Sequence, residues 1–322
     1  ARDGSVGERN GVRCGSIEHK MGLHASPTCV LSFGDEGNCV GELIGEETGG
    51  MAAMFTMMNN ARLGVGIEGL GLAERAYQQA VGYAKERLQG RAVGTPAGER
   101  SAIIEHPDVR RMLLTMKASV EALRALCYFD AFLIDRSHRH PDADVREQSA
   151  LMVELLTPLC KAWGTDLAVE VTSTAVQVHG GMGYIEETGV AQLYRDARIT
   201  PIYEGTNGIQ AIDLVGRKLG LSGGAVFADL LARIRATCDD LDGADDPLGA
   251  IAARLREATD EVESAAGWLA AHGASNIDDV LTGATPFLTM CSRLVGGWLD
   301  PFTDLAAAAR FGGVGFGHHG CR

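Results

Sequence analysis

The chain has 322 residues, which is enough for two or three compact units that each bury a core of their own. Hydrophobic residues make up 46% and charged residues 22%, a balance typical of soluble globular proteins. The formal net charge of −13 argues against nucleic acid or an anionic membrane as the main partner, although a local arginine cluster could still bind an anionic ligand.

The eight cysteines form no C-x-x-C pair and match no zinc spacing, so we predict reduced, buried thiols and no metal site. No charged-then-apolar signal peptide is visible, and no apolar run approaches the ~20 residues of a membrane span. We therefore predict a soluble, cytoplasmic protein with no integral membrane segment.

The first part of the chain is predicted to be extended. Residues 28–33 are β-rich, a turn signal follows, and a second extended piece covers residues 39–44, a pattern that predicts a hairpin. The opening residues 1–20 also form short extended pieces, which need sheet partners that are not visible upstream. We therefore interpret the chain as a fragment that begins inside a domain.

Helices are predicted to follow the extended region. Small and apolar residues at steps of three and four predict a first long helix, and the Gly- and Pro-containing residues 90–99 predict a loop after it. Two further periodic segments predict helices over residues 109–127 and from an N-cap at Asp144 to about residue 178. Three long antiparallel helices suggest a bundle. The stripe of the first helix consists of Met54, Met58, Ala61, Val65, Gly69, Leu72, Ala76 and Ala80.

A glycine-rich boundary after residue 220 precedes a second helical region. Helical spacing resumes in residues 227–234, 248–269 and 288–298, and no candidate catalytic cluster is visible there. The glycine-rich tail is predicted to be disordered, and its His318 and His319 are predicted to be solvated side chains and not metal ligands.

Residues 64–69 match the G-x-G-x-x-G pattern of dinucleotide-binding turns literally. That fingerprint needs a preceding strand, so that the glycines form a turn and the N-terminus of the next helix faces the pyrophosphate. Here the preceding residues 54–63 already belong to the first predicted helix. We therefore predict that these glycines allow close helix packing and bind no dinucleotide.

Residues 175–210 carry the most informative pattern in the chain. They contain Q-V-H-G-G-x-G-Y and then R-D-A-R-I-x-x-I-Y-E-G-T-x-x-I-Q. Both halves and their separation closely resemble the C-terminal signature of acyl-CoA dehydrogenases. Residues 19–22 and 26–33 resemble the closing strands of that family's middle β-domain, and Arg62 and Arg87 stand at family positions on the first long helix.

The resemblance covers the chain to about residue 219 and implies a mainly α fold. It implies the end of a middle β-domain in residues 1–46, a helical bundle domain with the catalytic base in residues 47–220, and an additional helical domain in residues 221–322. The extra helices resemble a longer subgroup that includes 3-methylmercaptopropionyl-CoA and fatty acyl-CoA dehydrogenases. The family's N-terminal helical domain and the first half of its β-domain would lie outside this chain.

The family reaction removes an α-proton from an acyl-CoA thioester while the β-hydrogen passes as hydride to N5 of FAD. The base must be unprotonated and still bind a proton well, which suits a carboxylate in a partly apolar pocket. The resemblance assigns this role to Glu204, and it assigns stabilisation of the enolate oxygen to the Glu204 N–H and a flavin hydroxyl. Some members place the base on the first long helix, but that position here is Ala61, which cannot act as a base.

The resemblance also implies binding residues. The cofactor-binding positions are Arg87 and Gln89 at the flavin pyrophosphate, Gln177, Gly180 and Gly181 at the flavin of a neighbouring subunit, and Thr206 and Gln210 near the adenosine end. Arginine offers the charge and the forked geometry that a pyrophosphate favours. The substrate-binding positions are Tyr203, Gly205 and Arg62, of which Arg62 would order the base region through hydrogen bonds. His106 and His179 are typical of the family and receive no proton-transfer role.

The expected partners are an acyl-CoA substrate, an electron-transferring flavoprotein and a second copy of the chain, with a tetramer also open. An acyl-CoA oxidase that passes electrons to oxygen is one alternative. A catalytically silent helical scaffold is another, and the intact Glu204 argues against it. The subgroup resemblance favours a 3-methylthiopropanoyl or fatty acyl thioester. Without the N-terminal half of the site, we expect the chain alone to bind flavin weakly and to show no turnover.

Overall fold

A computed structural model describes residues 4–243, 248–273 and 275–299. Over these ranges, two strands precede eight α-helices and several single helical turns, so the predicted mainly α class is confirmed. The chain divides into two compact units, residues 1–58 and residues 59–322. The predictions for the tail histidines and for Cys321 lie outside the described residues.

The two strands of the first unit are β1 (Val12–Ile17) and β2 (Cys29–Phe33), and they pair antiparallel. Because β2 pairs with the upstream strand and residues 39–44 form no strand, the predicted hairpin between residues 28–33 and 39–44 is wrong. The Asn10 side chain explains the difference. Its amide donates to Val40 O at 2.8 Å and accepts from the Val40 N–H at 2.9 Å, so that segment is held by a side chain and not by a ladder.

Cys14 and Cys29 lie exposed on this two-stranded ribbon, so the prediction of buried thiols is wrong for both. The ribbon is open on both faces, since Val30 and Leu31, which are consecutive on β2 and therefore point to opposite faces, are both exposed. The helical cysteines behave as predicted. The buried ones are Cys127, Cys160, Cys238 and Cys291, and Cys39 is half-buried.

The helices are α1 (Gly50–Glu86), α2 (Pro107–Arg139), α3 (Ala143–His179), α4 (Val190–Ala197), α5 (Asn207–Asp213), α6 (Ala225–Asp240), α7 (Leu248–His272) and α8 (Ile277–Leu299). The predicted loop over residues 90–99 and the helical segments of the last third are confirmed. The N-cap of α3 is Asp142 and not Asp144, because the Asp142 carboxylate accepts from the Asp144 N–H at 2.9 Å.

The bundle is formed by the part of α1 from residue 59 onward together with α2 and α3. An added Cβ would lie 2.7 Å from Cys160 O at Gly66 and 2.5 Å from Gly164 O at Gly69, so the two helix backbones touch. The packing role predicted for these glycines is confirmed at Gly66 and Gly69, whereas Gly64 faces open space. The same pairs show that α1 and α3 run parallel, so only α2 is antiparallel to its neighbours.

The last three helices share a core with the bundle. On α8, an added Cβ at Gly296 would lie 2.8 Å from the Trp163 ring of α3, and the Trp298 indole N–H donates to Thr237 of α6 at 2.9 Å. Burial of α8 side chains such as Leu294 completes this contact. None of the helices in the described ranges is long and apolar enough to cross a membrane.

Asp130 on α2 is fully buried against α3, and this burial predicts a pH-dependent stability. Thr157 donates to Asp130 Oδ2 at 3.3 Å, whereas Oδ1 has no hydrogen-bond partner among the described residues. Burial raises the pKa of Asp130 to about 7. The folded state therefore binds a proton that the unfolded state releases near pH ~4, so this group lowers stability as the pH rises from about 4 to about 7.

Asp130→Asn is therefore expected to stabilise the protein at pH 8 by a few kcal/mol, since one pKa unit corresponds to about 1.4 kcal/mol. At pH 4 the same variant should differ little from the wild type, because the native carboxyl is already neutral there. Urea unfolding followed by circular dichroism across this pH range measures the difference. Asp135→Asn, at an exposed position of the same helix, serves as the control. A variant whose stability relative to the wild type does not change with pH would contradict the prediction.

Candidate active site

Glu204 lies in the turn between α4 and α5, and its side chain is half-buried. Its φ is +55°, and the next residue, Gly205, has a φ of +81°. A non-glycine residue in the left-handed region is uncommon and costs about 1–3 kcal/mol, so the surroundings must hold it there. The turn therefore presents Glu204 in a conformation that the rest of the structure determines.

Gly205 leaves little room for a side chain, and its positive φ would strain any other residue. An added Cβ would lie 3.0 Å from Gln210 Nε2 and 3.7 Å from Arg62 Nη2. Gln210 is fully buried and donates to Gly205 O at 3.3 Å. Three predicted residues therefore meet directly beside Glu204, namely Arg62, Gly205 and Gln210. Arg62 is distant from the other two in the sequence, and Gln210 was predicted to bind the cofactor and not the substrate.

Tyr203 connects the turn to α1. Its hydroxyl donates to a carboxylate oxygen of Glu68, a residue that the sequence reasoning did not single out. Burial, this hydrogen bond and the charges of Glu68 and Glu204 together raise the pKa of Tyr203. Tyr203 therefore stays a neutral hydrogen-bond donor and anchors the residue that precedes Glu204.

Arg62 is buried between the turn and α5. Its Nη1 lies 3.7 Å from Asp213 Oδ2, and the other oxygen of Asp213 accepts from Arg217 Nε at 2.6 Å. A buried arginine needs such a partner, because an unpaired charge in the interior is costly. The predicted ordering role of Arg62 stays a prediction, and the contacts that would carry it are those with Asp213 and the Gly205 region.

A buried polar cluster, made of Lys161, Thr165, Asp166 and Asn207, lies under the turn. Lys161 Nζ donates to Asn207 Oδ1 at 2.9 Å, and the Asn207 amide donates to Asp166 Oδ1 at 2.8 Å. Burial lowers the pKa of Lys161 to about 8 and raises the pKa of Asp166. The sequence reasoning missed this cluster, although a lysine inside the apolar run 155–163 was a visible signal.

Arg87 and Gln89 lie just beyond the C-terminal end of α1, in a short extended segment where Leu88 pairs with Ala102. Both side chains are exposed, and Arg87 Nη2 lies 3.4 Å from Gln89 Oε1. His106 Nε2 donates to Gln89 O at 2.8 Å, which fixes the segment. The guanidinium and the amide are therefore both accessible to an anionic ligand.

Gln177, Gly180 and Gly181 lie at the C-terminal end of α3. Gln177 lines a groove of about 360 Å³ between α2 and α3, and Gly180 has a φ of +59°. An added Cβ at Gly180 or Gly181 would meet nothing within 4 Å, so the backbone there is open to approach. Gly183, which the sequence reasoning passed over, is the packed glycine, because its Cβ would lie 2.4 Å from Val176 O.

The predicted residues thus fall into separate groups. The turn brings together Glu204, Gly205, Gln210 and Arg62, and it also contains Tyr203 and Thr206. The Thr206 hydroxyl caps α5, since it accepts from the Ile209 N–H at 3.3 Å. The predicted residues at the ends of α1 and α3 form two further groups, and the stacked rings of Tyr83 and His179, 4.4 Å apart, hold these two helix ends together. In the described parts of the chain, no group of three His, Cys, Asp or Glu side chains could hold a metal ion.

The turn that contains Glu204 and Gly205 lies inside a segment that matches a family model. Residues 48–219 match the acyl-CoA dehydrogenase C-terminal domain, and residues 230–312 match a domain described as acetyl-CoA dehydrogenase C-terminal like. The chain belongs to the acyl-CoA dehydrogenase family. Known acyl-CoA dehydrogenases therefore provide the comparison for its site.

Two curated acyl-CoA dehydrogenases are similar over nearly the whole chain. The 3-methylmercaptopropionyl-CoA dehydrogenase of Ruegeria pomeroyi is 44% identical over 95% of this chain and 51% of its own length. A butyryl-CoA dehydrogenase of Syntrophomonas wolfei is 39% identical over 98% of this chain and 52% of its own. The chain thus spans about half the length of these relatives.

A solved structure shows the same fold. The crystal structure of an acyl-CoA dehydrogenase from Bacillus anthracis complexed with FAD matches 94% of this chain and 52% of its own, with a TM-score of 0.71 and 24% identity. The helical arrangement of the chain is therefore that of an acyl-CoA dehydrogenase C-terminal region.

Proposed function

We propose that this chain is the base-bearing part of a longer enzyme that introduces a double bond between the α and β carbons of an acyl-CoA thioester. The observation that carries the proposal is the Glu204 turn, in which a half-buried carboxylate occupies a left-handed backbone conformation beside a packed glycine. Strain of this kind concentrates at functional sites. A carboxylate held in such a conformation supports a catalytic role for Glu204.

In this proposal Glu204 takes the α-proton of the thioester. Removal of that proton places negative charge on the thioester oxygen, and the Glu204 backbone N–H is the donor proposed to stabilise it. Tyr203 and Gly205 line the approach of the substrate on either side of the base. The hydrogen bond from Tyr203 to Glu68 holds this side of the site in place.

FAD is the proposed cofactor, and when bound it supplies the acceptor for the β-hydride. The residues fit such a ligand at the two helix ends: Arg87 and Gln89 offer an exposed cation and amide, and Gly180 and Gly181 leave the backbone uncovered. Thr206 presents an exposed side chain near the turn. Gln210 is fully buried and donates to Gly205 O, so we assign it to support of the turn.

The acyl group is proposed only at the level of a class. The two similar dehydrogenases are named for 3-methylmercaptopropionyl-CoA and for butyryl-CoA, so relatives at comparable identity differ in substrate. We propose a 3-methylthiopropanoyl or fatty acyl thioester as substrate. An electron-transferring flavoprotein as electron acceptor and a homo-oligomer, dimeric or tetrameric, complete the proposal, with oxygen as the acceptor in the oxidase alternative.

Anaerobic bleaching of the flavin absorbance tests this function in the full-length protein. We expect rapid bleaching by at least one thioester in a series from 3-methylthiopropanoyl-CoA and butyryl-CoA to long fatty acyl-CoA. Free acids without CoA serve as the control and should leave the flavin oxidised. A protein that binds FAD and is bleached by none of the thioesters would contradict the proposal and favour the scaffold alternative. Oxygen consumption with the best thioester would identify an oxidase.

A further inference from the structure

Lys161 is an unusual residue at its position, because it lies on α3 with its side chain completely enclosed. Lysine is almost never fully buried unless it is paired, since an ammonium group loses its hydration in the interior. Here Nζ donates to Asn207 Oδ1 at 2.9 Å, and the neighbouring leucines at positions 155, 156 and 159 are also buried. An apolar residue at position 161 would fill the same core without this cost.

Asn207 is the residue that the lysine holds. Its amide nitrogen donates to Ala162 O at 3.0 Å, to Thr165 Oγ1 at 2.9 Å and to Asp166 Oδ1 at 2.8 Å, while its oxygen accepts from Lys161. All of these partners lie in residues 161–166 of α3, which is less than two helical turns. The side chain of Asn207 is therefore fixed to α3 on both its donor and its acceptor side.

The same residue closes the turn that carries Glu204. The Asn207 N–H donates to Pro201 O at 3.0 Å, so the segment between these two residues forms a closed loop. Glu204 and Gly205, both with positive φ, occupy the middle of that loop. Because a left-handed glutamate is not stable by itself, the fixed end of the loop is what keeps it in place.

Lys161 also interacts electrostatically with Glu204, the proposed base. Asp166, Arg62 and Glu204 are the charged groups that act on its ammonium, and Asp166 in turn faces Arg198. Asp166 and Glu204 attract the ammonium, whereas Arg62 repels it. Loss of the lysine charge would therefore change the field at the carboxylate of Glu204 as well as the anchoring of Asn207.

We propose that Lys161 is a positioning residue for the reaction, which holds the Glu204 turn through Asn207 and places a buried positive charge beneath the base. The inference rests on the proposed function, since it needs Glu204 to be the base. It goes further in assigning a role to a residue that touches neither substrate nor flavin. Asn207 is the element through which it acts.

The test uses the full-length, FAD-loaded protein and compares Lys161→Met, Asn207→Ser and the control Lys117→Met, which changes a partly exposed lysine of α2. Flavin reduction is measured across pH and over thioester concentrations up to saturation. We expect Lys161→Met and Asn207→Ser to slow the limiting rate by about 10-fold to 100-fold, because small displacements of a catalytic group have effects of this size. The thioester concentration for half-maximal rate should change less than threefold.

The dependence of the rate on pH distinguishes the effect of the Lys161 charge on Glu204 from the anchoring of the turn through Asn207. Lys161→Met should move the acidic limb of the rate profile to higher pH, because a nearby positive charge favours the ionised carboxylate. Asn207→Ser keeps the lysine and should slow the rate without that movement. Deuterium exchange of the backbone amides in residues 202–206 gives a readout independent of activity. It should be faster in both variants and unchanged in Lys117→Met.

A wild-type rate together with wild-type amide exchange in Asn207→Ser would overturn the proposal, even where Lys161→Met does not fold. If Lys161→Met is slow but the acidic limb of its pH–rate profile stays where it is in the wild type, the proposed effect of the lysine charge on Glu204 is wrong. If the wild type bleaches normally and depends on Glu204 while both variants behave as wild type, only this inference fails. If Glu204→Gln turns over normally, the proposed function fails first and this inference fails with it.

Discussion

Full-length protein carrying Glu204→Gln is expected to reduce its flavin about 10³-fold more slowly with acyl-CoA thioester than the wild type does. The loss follows from removal of the only proposed proton acceptor, and general base catalysis typically contributes 10²–10⁴-fold. Glutamine has nearly the same shape as glutamate and carries the same strain at a φ of +55°, so the turn should keep its conformation. The backbone N–H at this position stays in place as well.

Rapid-mixing absorbance measurements under anaerobic conditions determine this rate, and flavin content and thioester-induced spectral changes show whether binding is retained. Glu187→Gln is the matched control, because it makes the same change at an exposed position before α4. The base would have to lie elsewhere if Glu204→Gln reduced flavin at the rate of the wild type. Position 61 on α1 could not take over, since it is an alanine.

Gly69→Ala is expected to destabilise the fold by about 3 kcal/mol, near the upper end of the usual cost of overpacking. The added Cβ would lie 2.5 Å from Gly164 O, and this neighbour is backbone that a side-chain rotation cannot move. Helix α1 would therefore have to shift away from α3. Because Arg62 and Glu68 both lie on α1 and contact residues next to Glu204, the same change should also slow flavin reduction.

Urea unfolding followed by circular dichroism measures the effect. Gly71→Ala, two residues further along α1, is the control because nothing lies within 4 Å of its added Cβ. That change should stabilise the helix by roughly 0.5–1 kcal/mol, the usual difference between alanine and glycine in a helix. Equal stability of the two variants would show that α1 and α3 are not in backbone contact at Gly69.

Local patterns in the sequence were sufficient for the helices and for the family. Residues at steps of three and four mark α1 and α2 because burial of one helix face requires that spacing, and the glycines at 66 and 69 indicate close packing because they follow a helix and not a strand. The residues around Glu204 are specific enough to indicate the family by themselves. The contact between Asn10 and Val40, which takes the place of the predicted hairpin, could not be predicted from local patterns, since it joins residues 30 apart.

The sequence by itself determined which segments are helical, which family the chain belongs to and which carboxylate is the candidate base. Only the tertiary structure decided that Lys161 and Asn207 meet under the Glu204 turn, across 46 residues, and that Asp130 is enclosed without a full set of partners. The physical reason is the separation along the chain over which each effect acts. Periodicity and turn chemistry act between neighbours in the chain, whereas the burial of a charge depends on which helices pack together, and that is set by the whole core.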